Sequence, residues 1–495
     1  MTESIYSEFI QAKDGSSIPL LKSGRTLESK YNPQRDADII INSLEENYSF
    51  FIVVGIGSGI LIKRLLETFS CKIIGVELSN IDINFLKSNQ ATKEILENPD
   101  LILANKDNLK QIIIDNYIPA KYGNIKILEQ KNWLSENIAY KDELYTNIQK
   151  AINIIAADFS VQSHFGKIWT CNILNNIKTL TNHSQKIPNS FDISKKALVI
   201  GAGPSLDEKI NYIKENRNDL FIISTDTAFN SLLKYKIDSD LVVSLDAQNI
   251  SYNHFINSKS VTNTSFAFDL CGNSSAAKHL IEKGFNSFFF ISGHPLSSLF
   301  NYFVNNKLIT LESGAGTVTL AALDFAIKAN FKKIEIIAAD FSYSNGKAYT
   351  KGSYLDNIYN KDSDKLKSSE KLFDSLLFRT ELKEIKNKKY TTQILEAYKF
   401  SLIDFLNKKN ISYKYENDIY YLKKEKIEKE TIKINPINQN IQYIDFLTFL
   451  KSLKIEEIET ALLPYISWLR NKQKNKNLNY QEFLQLAHSF IVSYN

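Results

Sequence analysis

Short apolar runs alternate with amphipathic stretches along the middle third of the chain. The runs are four or five residues long, which is typical of strands buried on both faces of a sheet. They occupy residues 197–200, 220–224, 241–245, 265–268, 288–291 and 334–338. Helical segments such as residues 315–328 lie between them. This alternation predicts an α/β fold with a mainly parallel, Rossmann-like sheet and helices on both faces.

A similar pattern occurs near the start of the chain. Residues 50–62 form an apolar run, a GxGxG turn and a helix start, and the next run ends on Glu77, 18 residues after Gly59. An acidic residue at this spacing holds ribose hydroxyls in Rossmann nucleotide sites. The turn also resembles the first motifs of S-adenosylmethionine-dependent methyltransferases, although GxGxG is not the complete GxGxxG fingerprint. A Rossmann-like domain that binds no cofactor is the alternative.

Helical periodicity dominates the C-terminal part of the chain, in residues 443–454, 456–471 and 480–494. The first 45 residues carry helix and loop signals. We therefore predict an N-terminal Rossmann-like domain at 1–160, a central domain at 161–410 and a small α-helical domain at 411–495.

Composition narrows the class of protein. The 495 residues carry a formal charge of +5, which is too small to indicate a nucleic-acid partner. The three cysteines are far apart and form no metal or disulfide pattern. The start is not a signal peptide, and the longest apolar run is shorter than a membrane span. We expect a cytoplasmic protein without a membrane partner or a metal site.

The strand at 197–200 runs into a glycine-rich turn, which contains Gly201, Gly203, Pro204 and Ser205. Glycine allows a sharp turn and the close approach of a ligand, and proline suits the first helical turn. The backbone N–H groups at such a helix start attract anions, so a phosphate is the expected ligand. A purely structural turn is the alternative.

Several strands of the central domain end at a carboxylate, namely Asp226, Asp246, Asp269 and Asp340. Ligands of open α/β sheets bind outside the carboxyl ends of the strands. We therefore expect these acids to line one crevice that faces the glycine-rich turn, with one or two of them acting only as helix caps. A second small-residue turn at Ser313 opens another helix.

The chain resembles the motility-associated factor (Maf) family of flagellin glycosyltransferases over nearly its whole length, and the most specific matches are motifs of the central domain. The matching pieces are Trp169…Asn172…Asn176, Gly-Ala-Gly-Pro-Ser-Leu-Asp at 201–207, Ser-Thr-Asp-Thr-Ala-Phe at 224–229, residues 240–248, and the Ser313-Gly block that leads to Asp340. The central domain of that family is similar to bacterial lipooligosaccharide sialyltransferases. Those enzymes contain an Asp-Phe-Tyr…Asn-Gly…Tyr stretch, and residues 339–349 of this chain resemble it.

The resemblance implies roles for individual residues. Gly201, Gly203, Pro204 and Ser205 would hold the nucleotide of the donor. Further donor contacts would come from Thr225, Asp226, Ser313, Gly314 and Asp340. Asp246 would lie at the sugar, and Tyr343 and Tyr349 match the tyrosines that stabilise the leaving phosphate.

The general base is the part of the family pattern that this chain lacks. The sialyltransferases place a histidine just before a helix like the one at 391–407, but no histidine lies between His294 and His488. Tyr390 lies near the equivalent position, and an aspartate of the crevice is the other candidate. Asp238-Ser-Asp240 spells the DxD metal signature but precedes a strand, away from the crevice.

The resemblance implies transfer of a nonulosonic acid, of the pseudaminic or legionaminic kind, from its CMP conjugate to flagellin Ser or Thr hydroxyls during flagellum assembly. CMP is a good leaving group, so we expect no cofactor beyond the CMP-sugar substrate. The first alternative is a pterin diphosphokinase that uses ATP and Mg²⁺, because an archaeal enzyme of that kind shares the glycine-rich motif. The second is a non-catalytic flagellin-binding scaffold.

Overall fold

The structure is a computed structural model that describes residues 3–44, 48–183, 186, 188, 191–256, 258, 263–314, 316–344, 346–364, 368–385, 389–423, 434, 436–437, 440–473 and 478–494. The chain divides into two compact units. The first comprises Met1–Gly166 and Leu463–Leu486, and the second comprises Lys167–Leu462 and Ala487–Asn495.

The first unit is built on a four-stranded parallel sheet with the strand order β5-β4-β3-β6. Its strands are β3 (Phe50–Val54), β4 (Lys72–Glu77), β5 (Leu101–Asn105) and β6 (Ile125–Glu129). All five residues of β3 are buried, because helices cover both faces of a parallel sheet. The Rossmann-like sheet predicted from the sequence is therefore present.

The first 45 residues differ from the sequence prediction of helix and loop. They begin with an antiparallel hairpin, β1 (Tyr6–Gln11) and β2 (Ser17–Leu21), and only then form α1 (Pro33–Asn42). Tyr6 and Leu21 are paired in the β-ladder and both belong to the hydrophobic core. Exposed residues lie between them in the chain and interrupt the apolar pattern by which a strand is recognised.

The remaining helices of the first unit follow the strands in chain order. They are α2 (Ile60–Thr68), α3 (Asn80–Leu86), α4 (Gln90–Leu96), α5 (Leu109–Asn116), α6 (Pro119–Tyr122) and α7 (Lys131–Glu136). The long helix α8 (Ile138–Asn182) contains the predicted amphipathic segment at 160–176.

A nine-stranded sheet forms the centre of the second unit, in the order β12-β11-β10-β9-β8-β7-β13-β18-β17. Its parallel strands are β7 (Lys196–Ile200), β8 (Leu220–Thr225), β9 (Leu241–Ser244), β10 (Ser265–Asp269), β11 (Ser287–Ile291), β12 (Ile309–Thr310) and β13 (Lys333–Ile337). In the register, Ala197 of β7 lies opposite Phe221 of β8 and Ile334 of β13. The predicted α/β fold with a mainly parallel sheet is confirmed.

Two further strands extend this sheet beyond position 410, where the sequence predicts only helices. β17 (Ser412–Glu416) and β18 (Ile419–Lys423) form a hairpin whose second strand pairs antiparallel with β13. The first strand, Ser-Tyr-Lys-Tyr-Glu, is exposed along its whole length, so it does not form the buried apolar run by which the other strands were recognised.

Helices cover the nine-stranded sheet. They are α9 (Leu206–Glu215), α10 (Asp226–Lys234), α11 (Ser274–Glu282), α12 (Pro295–Phe303), α13 (Val318–Lys328), α14 (Tyr354–Asp362), α15 (Ser369–Leu377) and α16 (Gln393–Lys408), together with the 3₁₀ helices η1 (Arg217–Asp219) and η2 (Asn249–Phe255). Nearly every side chain of α13 is buried, because this helix lies across the centre of the sheet.

The rest of the structure consists of a small sheet and three C-terminal helices. The small sheet joins β14 (Tyr343–Ser344), β16 (Lys389–Thr391) and β15 (Lys383–Glu384) in that order. The helices are α17 (Tyr443–Ser452), α18 (Ile455–Lys472) and α19 (Tyr480–Val492), as the helical periodicity predicts.

Candidate active site at the carboxyl edge of the nine-stranded sheet

The glycine-rich turn lies where the direction of strand addition reverses. The chain leaves β7 toward β8 on one side, whereas β13 pairs with β7 on the other side. Ligands of open α/β sheets bind outside the strand ends at such a switch point. The predicted site residues therefore belong to the region of the sheet that the fold itself favours for binding.

Close packing explains both glycines of this turn. A Cβ atom at Gly201 would lie 2.4 Å from the carbonyl oxygen of Ala338, and one at Gly203 would lie 2.5 Å from the Cγ atom of Asp340. Both distances are far below van der Waals contact. The glycines thus allow the turn after β7 to touch the segment after β13.

The N–H groups of the same turn already have acceptors in the protein. Gly203 donates to Ala338 O (2.8 Å), and the backbone N–H of Ser205 donates to Asp340 Oδ2 (2.8 Å). The hydroxyl of Ser205 donates to the other carboxylate oxygen of Asp340. The Asp340 carboxylate therefore accepts the hydrogen bond of the N–H group that we expected to bind a phosphate. The nucleotide-binding role of the turn stays a prediction.

Asp226 is buried at the start of α10, directly after β8. Its Oδ2 atom accepts a hydrogen bond from the Ser244 hydroxyl (2.7 Å), and its Oδ1 atom accepts one from the Thr227 N–H (2.7 Å). Thr225 caps the helix by accepting from the Ala228 N–H (3.3 Å). Ser244 ends β9, so the carboxylate of Asp226 connects the ends of two neighbouring strands.

Asp246 follows the end of β9 and is half-buried. Its Oδ1 atom accepts a hydrogen bond from the backbone N–H of Gln248 (2.9 Å), while its own carbonyl oxygen accepts one from Asn273 N–H (3.0 Å). Burial raises the pKa of Asp246; the N–H of Gln248 lowers it, the negative charge of Asp226 raises it, and His254 lowers it. The two carboxylates of Asp226 and Asp246 are therefore electrostatic neighbours.

Three tyrosines, Tyr349, Tyr354 and Tyr398, lie close enough to this pair of carboxylates to interact with them electrostatically. The pKa of Tyr349 is raised above its ordinary value. Burial is the largest cause, followed by the neighbouring hydroxyls of Tyr354, Tyr343 and Tyr398 and the charge of Asp226. Burial and the charge of Asp246 likewise raise the pKa of Tyr398. These phenols stay protonated at neutral pH, so each can donate a hydrogen bond. About a third of Tyr349 is exposed, which leaves it accessible.

The other predicted residues lie around this group. Tyr390 pairs with Tyr343 across the β14–β16 ladder and is partly exposed. A Cβ atom at Gly314 would lie 3.0 Å from the Cβ of Ser401 on α16, one turn beyond Tyr398. Ser313 accepts the N–H group of Gly316 (2.9 Å) and so closes the turn before α13.

Asp269, which was predicted to line the crevice, and Asp240, which was not, both have structural partners. The carboxylate of Asp269 is buried and accepts the N–H of Cys271 (2.6 Å) in the turn after β10, whereas the helix that follows is capped by Asn273. Asp240 of the DxD sequence accepts the N–H of Ile222 (2.7 Å) and pairs with Arg217 (3.0 Å) at the amino ends of the strands. Among the residues that the structure describes, no group of three or more His, Cys, Asp or Glu side chains is arranged to hold a metal ion.

Several residues at this edge were not predicted from the sequence, among them His254, Tyr354 and Tyr398. The ring centroids of His254 and Tyr354 are 4.6 Å apart with an interplanar angle of 86°. The three residues come from η2, α14 and α16, and only the fold brings these distant elements together. The one available signal was that His254 follows Asp246 by eight residues.

A polar groove of about 620 Å³ lies between residues of η2 and residues of α11. It is lined by Asn249, Tyr252, Asn253, Asn273, Ser275, Lys278, His279 and Glu282. None of the predicted site residues belongs to this set. The groove adjoins the group of acids and tyrosines, because its residue Asn273 donates its backbone N–H to Asp246 O (3.0 Å).

The glycine-rich turn of the first unit binds groups of its own chain. Glu77 is fully buried and accepts hydrogen bonds from the Tyr6 hydroxyl (2.9 Å), the Ile56 N–H (2.7 Å) and the Trp133 indole N–H (2.7 Å). Burial raises the pKa of Glu77 to about 7, although these three donors lower it. The carboxylate that we expected to hold ribose hydroxyls is thus occupied.

A second carboxylate fills the rest of that turn. Glu28 accepts the N–H group of Ser58 (2.6 Å), and a Cβ atom at Gly57 would lie 2.3 Å from Glu28 Oε1. An anion bound at these N–H groups would have to displace a carboxylate of the protein. This arrangement favours the interpretation of the first unit as a Rossmann-like domain without a cofactor.

Comparison with known proteins supports the fold and the family. A family model described as 6-hydroxymethylpterin diphosphokinase MptE-like matches residues 171–346. An uncharacterized protein of Treponema pallidum is 34% identical over 147 residues, which cover 30% of this chain and 70% of the relative. The chain belongs to the family of this Treponema protein. Another relative from the same organism is 28% identical over 263 residues, but the match covers only 44% of its length.

A solved structure extends the comparison to the whole chain. The Maf glycosyltransferase from Magnetospirillum magneticum AMB-1 has a TM-score of 0.52 and 12% sequence identity, and the match covers 99% of this chain and 86% of that one. The fold resemblance to the Maf family that the motifs imply is therefore confirmed. No helix in the described part of the chain has the length and apolar character needed to cross a bilayer.

Proposed function

We propose that this protein is a glycosyltransferase that moves a nonulosonic acid from its CMP conjugate to serine or threonine hydroxyls of flagellin. The observation that carries the proposal is the grouping of Asp226 and Asp246 with four tyrosines at the carboxyl edge of a sheet with the Maf glycosyltransferase fold. The CMP donor and the flagellin acceptor come from the motif resemblance.

The reaction would be a direct displacement at the anomeric carbon. The acceptor oxygen forms the new bond to this carbon while the bond from the carbon to the phosphate oxygen of CMP breaks, and the electron pair stays on the phosphate. Asp246 accepts the proton of the acceptor hydroxyl, because burial raises the pKa of this carboxyl and makes it a stronger base.

Tyr349 and Tyr343 would stabilise the leaving phosphate. Burial raises the pKa of both phenols, so they carry protons that they can donate where negative charge develops. Since the Ser205 N–H is bonded to Asp340, the tyrosines are better placed than the glycine-rich turn to donate to this phosphate. In this proposal the turn and Asp340 shape the nucleotide pocket.

The proposal is tested in cells in which a variant replaces the protein. We expect Asp246→Asn and Tyr349→Phe to abolish or strongly reduce the sugar on flagellin, as measured by mass spectrometry. Asp238→Asn, an exposed aspartate at the opposite edge of the sheet, and Tyr302→Phe, an exposed tyrosine, serve as matched controls. Flagellin that keeps its sugar in the first two variants would show that the site is misplaced.

The MptE-like family match supports a second candidate, the transfer of diphosphate from ATP to a pterin. This reaction would use Mg²⁺ held by strand-end carboxylates. The two candidates predict different ligands. Millimolar CMP should raise the melting temperature if the protein is the transferase, whereas a shift that requires both ATP and Mg²⁺ would favour the diphosphokinase.

A further inference from the structure

The polar groove between η2 and α11 is lined by side chains whose hydrogen-bonding groups the fold does not use. Among the described residues, the amides of Asn249 and Asn253 find no partner within the protein, and neither do the hydroxyls of Tyr252 and Ser275. Asn249 and Ser275 are exposed, while Tyr252 and Asn253 are half-buried. Each of these groups can therefore donate to, or accept from, a bound molecule.

The backbone that carries these side chains is fixed by hydrogen bonds. Asn230 Nδ2 of α10 donates to Asn253 O (3.0 Å). Asn273 Nδ2 donates to Gln248 O (2.9 Å) and to Asn249 O (3.3 Å). The groove is thus formed before a ligand arrives, which lowers the entropic cost of binding.

The groove offers an aromatic surface and balanced charge. The rings of Tyr252 and His279 meet edge-on, with centroids 5.4 Å apart. Lys278 and Glu282 lie one turn apart on α11, and their charged atoms are 3.7 Å apart. Nucleotides and nonulosonic acids are anions, and this lysine is already paired with a carboxylate. A neutral polar ligand therefore fits the groove better than the donor does.

The groove continues across the first turn of α11. A second recess of about 260 Å³ shares Ser275 and Lys278 with it. On the side of α8 this recess is lined by Asn175, Lys178, Thr179, Asn182 and His183. The two cavities together form one elongated polar surface, which we call the acceptor groove. Such a shape matches an extended chain better than a compact molecule.

One end of the acceptor groove lies beside the proposed base. The backbone N–H of Asn273 donates to Asp246 O (3.0 Å), and Asn249 follows Asp246 by three residues. An asparagine amide carries a donor and an acceptor, as does each peptide group of an extended chain. Asparagine, serine and tyrosine are also the residues that protein-binding loops use for adaptable hydrogen bonds and rigid contact area.

We propose that the acceptor groove binds the acceptor polypeptide in an extended form and brings one of its serine or threonine hydroxyls to Asp246. The inference rests on the proposed glycosyl transfer. The amides of Asn249 and Asn253 bond the backbone of the acceptor, and Tyr252 packs against one of its side chains. The groove contributes binding and position, and the bonds that form and break are those of the transfer described above.

The test is the kinetics of transfer by the full chain to purified, unglycosylated flagellin. Ser275→Trp fills the groove from an exposed position of α11, and Tyr252→Ala removes the aromatic surface. We expect either change to raise the KM for flagellin about tenfold, as the loss of one central contact of an interface does. The KM for the CMP-activated sugar should stay at its native value, because the donor binds elsewhere.

Matched controls place the same substitutions outside the groove. Ser135→Trp lies at an exposed position of α7 in the first unit, and Tyr302→Ala removes an exposed tyrosine of α12. Both controls should keep the native KM for flagellin. An unchanged KM for flagellin in both groove variants would overturn the proposal. So would a rise confined to the KM for the CMP-activated sugar, which would make the groove a donor site.

A binding measurement without turnover separates this inference from the proposed function. Unglycosylated flagellin is immobilised, and binding of the native protein and its variants is followed by biolayer interferometry without any donor. We expect Ser275→Trp to raise the Kd about tenfold relative to Ser135→Trp. If it does so while the native protein transfers no sugar, the acceptor groove stands and the transferase assignment fails. If the native protein transfers sugar and Ser275→Trp binds flagellin normally, the transferase stands and the groove assignment fails.

Discussion

Two asparagines of α8 fix the loops that carry the candidate site, and this arrangement leads to a sharp prediction. Asn176 Nδ2 donates to Leu270 O (2.9 Å) and Gly272 O (3.0 Å), and Asn172 Nδ2 donates to Ala247 O (3.0 Å). Both asparagines are buried. The two asparagines of the Trp…Asn…Asn motif therefore act as a clamp that holds the loops after β9 and β10.

The chosen perturbation is Asn176→Asp, which preserves shape but replaces the amide donor. An ionised carboxylate would face two carbonyl oxygens, and a protonated one would have a single hydrogen for both. Each buried carbonyl left without a donor costs about 1–3 kcal/mol, so the loss is about 1–3 kcal/mol for the protonated form and about 2–6 kcal/mol for the ionised form. That is a large fraction of the total stability of about 5–15 kcal/mol of a typical domain.

The assay is urea unfolding followed by circular dichroism. Asn175→Asp is the matched control, because Asn175 is half-buried and its side chain bonds the hydroxyl of Tyr494 (3.1 Å), which can reverse its role and donate to a carboxylate. We expect this control to lose less than about 1 kcal/mol. Equal losses in the two variants, or an Asn176→Asp loss below about 0.5 kcal/mol, would refute the clamp.

Two further predictions concern the glycine-rich turns. Gly203→Ala should lower the melting temperature and the rate of sugar transfer, because the new Cβ would lie 2.5 Å from the Cγ of Asp340; unchanged values would show that the turn tolerates a side chain. Stability should fall as the pH rises from about 4.5 to about 7, by about 3 kcal/mol, because the folded protein binds the proton of Glu77 more tightly than the unfolded chain does. Glu77→Gln should remove this dependence in thermal unfolding, whereas Glu8→Gln, at an exposed position, should not.

The strands β7 to β11 and β13 were predictable because each is a short apolar run that is buried on both faces. The residues 197–200 and 334–338 coincide closely with β7 and β13, whose pairing creates the switch point. The hairpin of β17 and β18 was not predictable in this way. Its first strand is exposed along its whole length and joins the sheet only through β18, which pairs with β13.

The candidate site was predictable only in part. Asp226 and Asp246 were identified because they follow strand ends, and the fold places strand ends at one edge. His254, Tyr354 and Tyr398 lie on separate elements, and no spacing in the sequence connects them. The hydrogen-bond partners of Ser205 and Glu77 were also not predictable. A sequence pattern shows which backbone N–H groups can bind an anion, but it does not show that a carboxylate of the same chain accepts their hydrogen bonds.

The most direct test of the account is sugar transfer by the purified protein. Unglycosylated flagellin is incubated with a CMP-activated nonulosonic acid and the native protein, or with the Asp246→Asn variant, and the intact mass of flagellin is measured. The account predicts an increase by whole sugar residues with the native protein and a rate at least about 100-fold lower with the variant. Flagellin of unchanged mass with the folded native protein, or equal modification by both proteins, would contradict it.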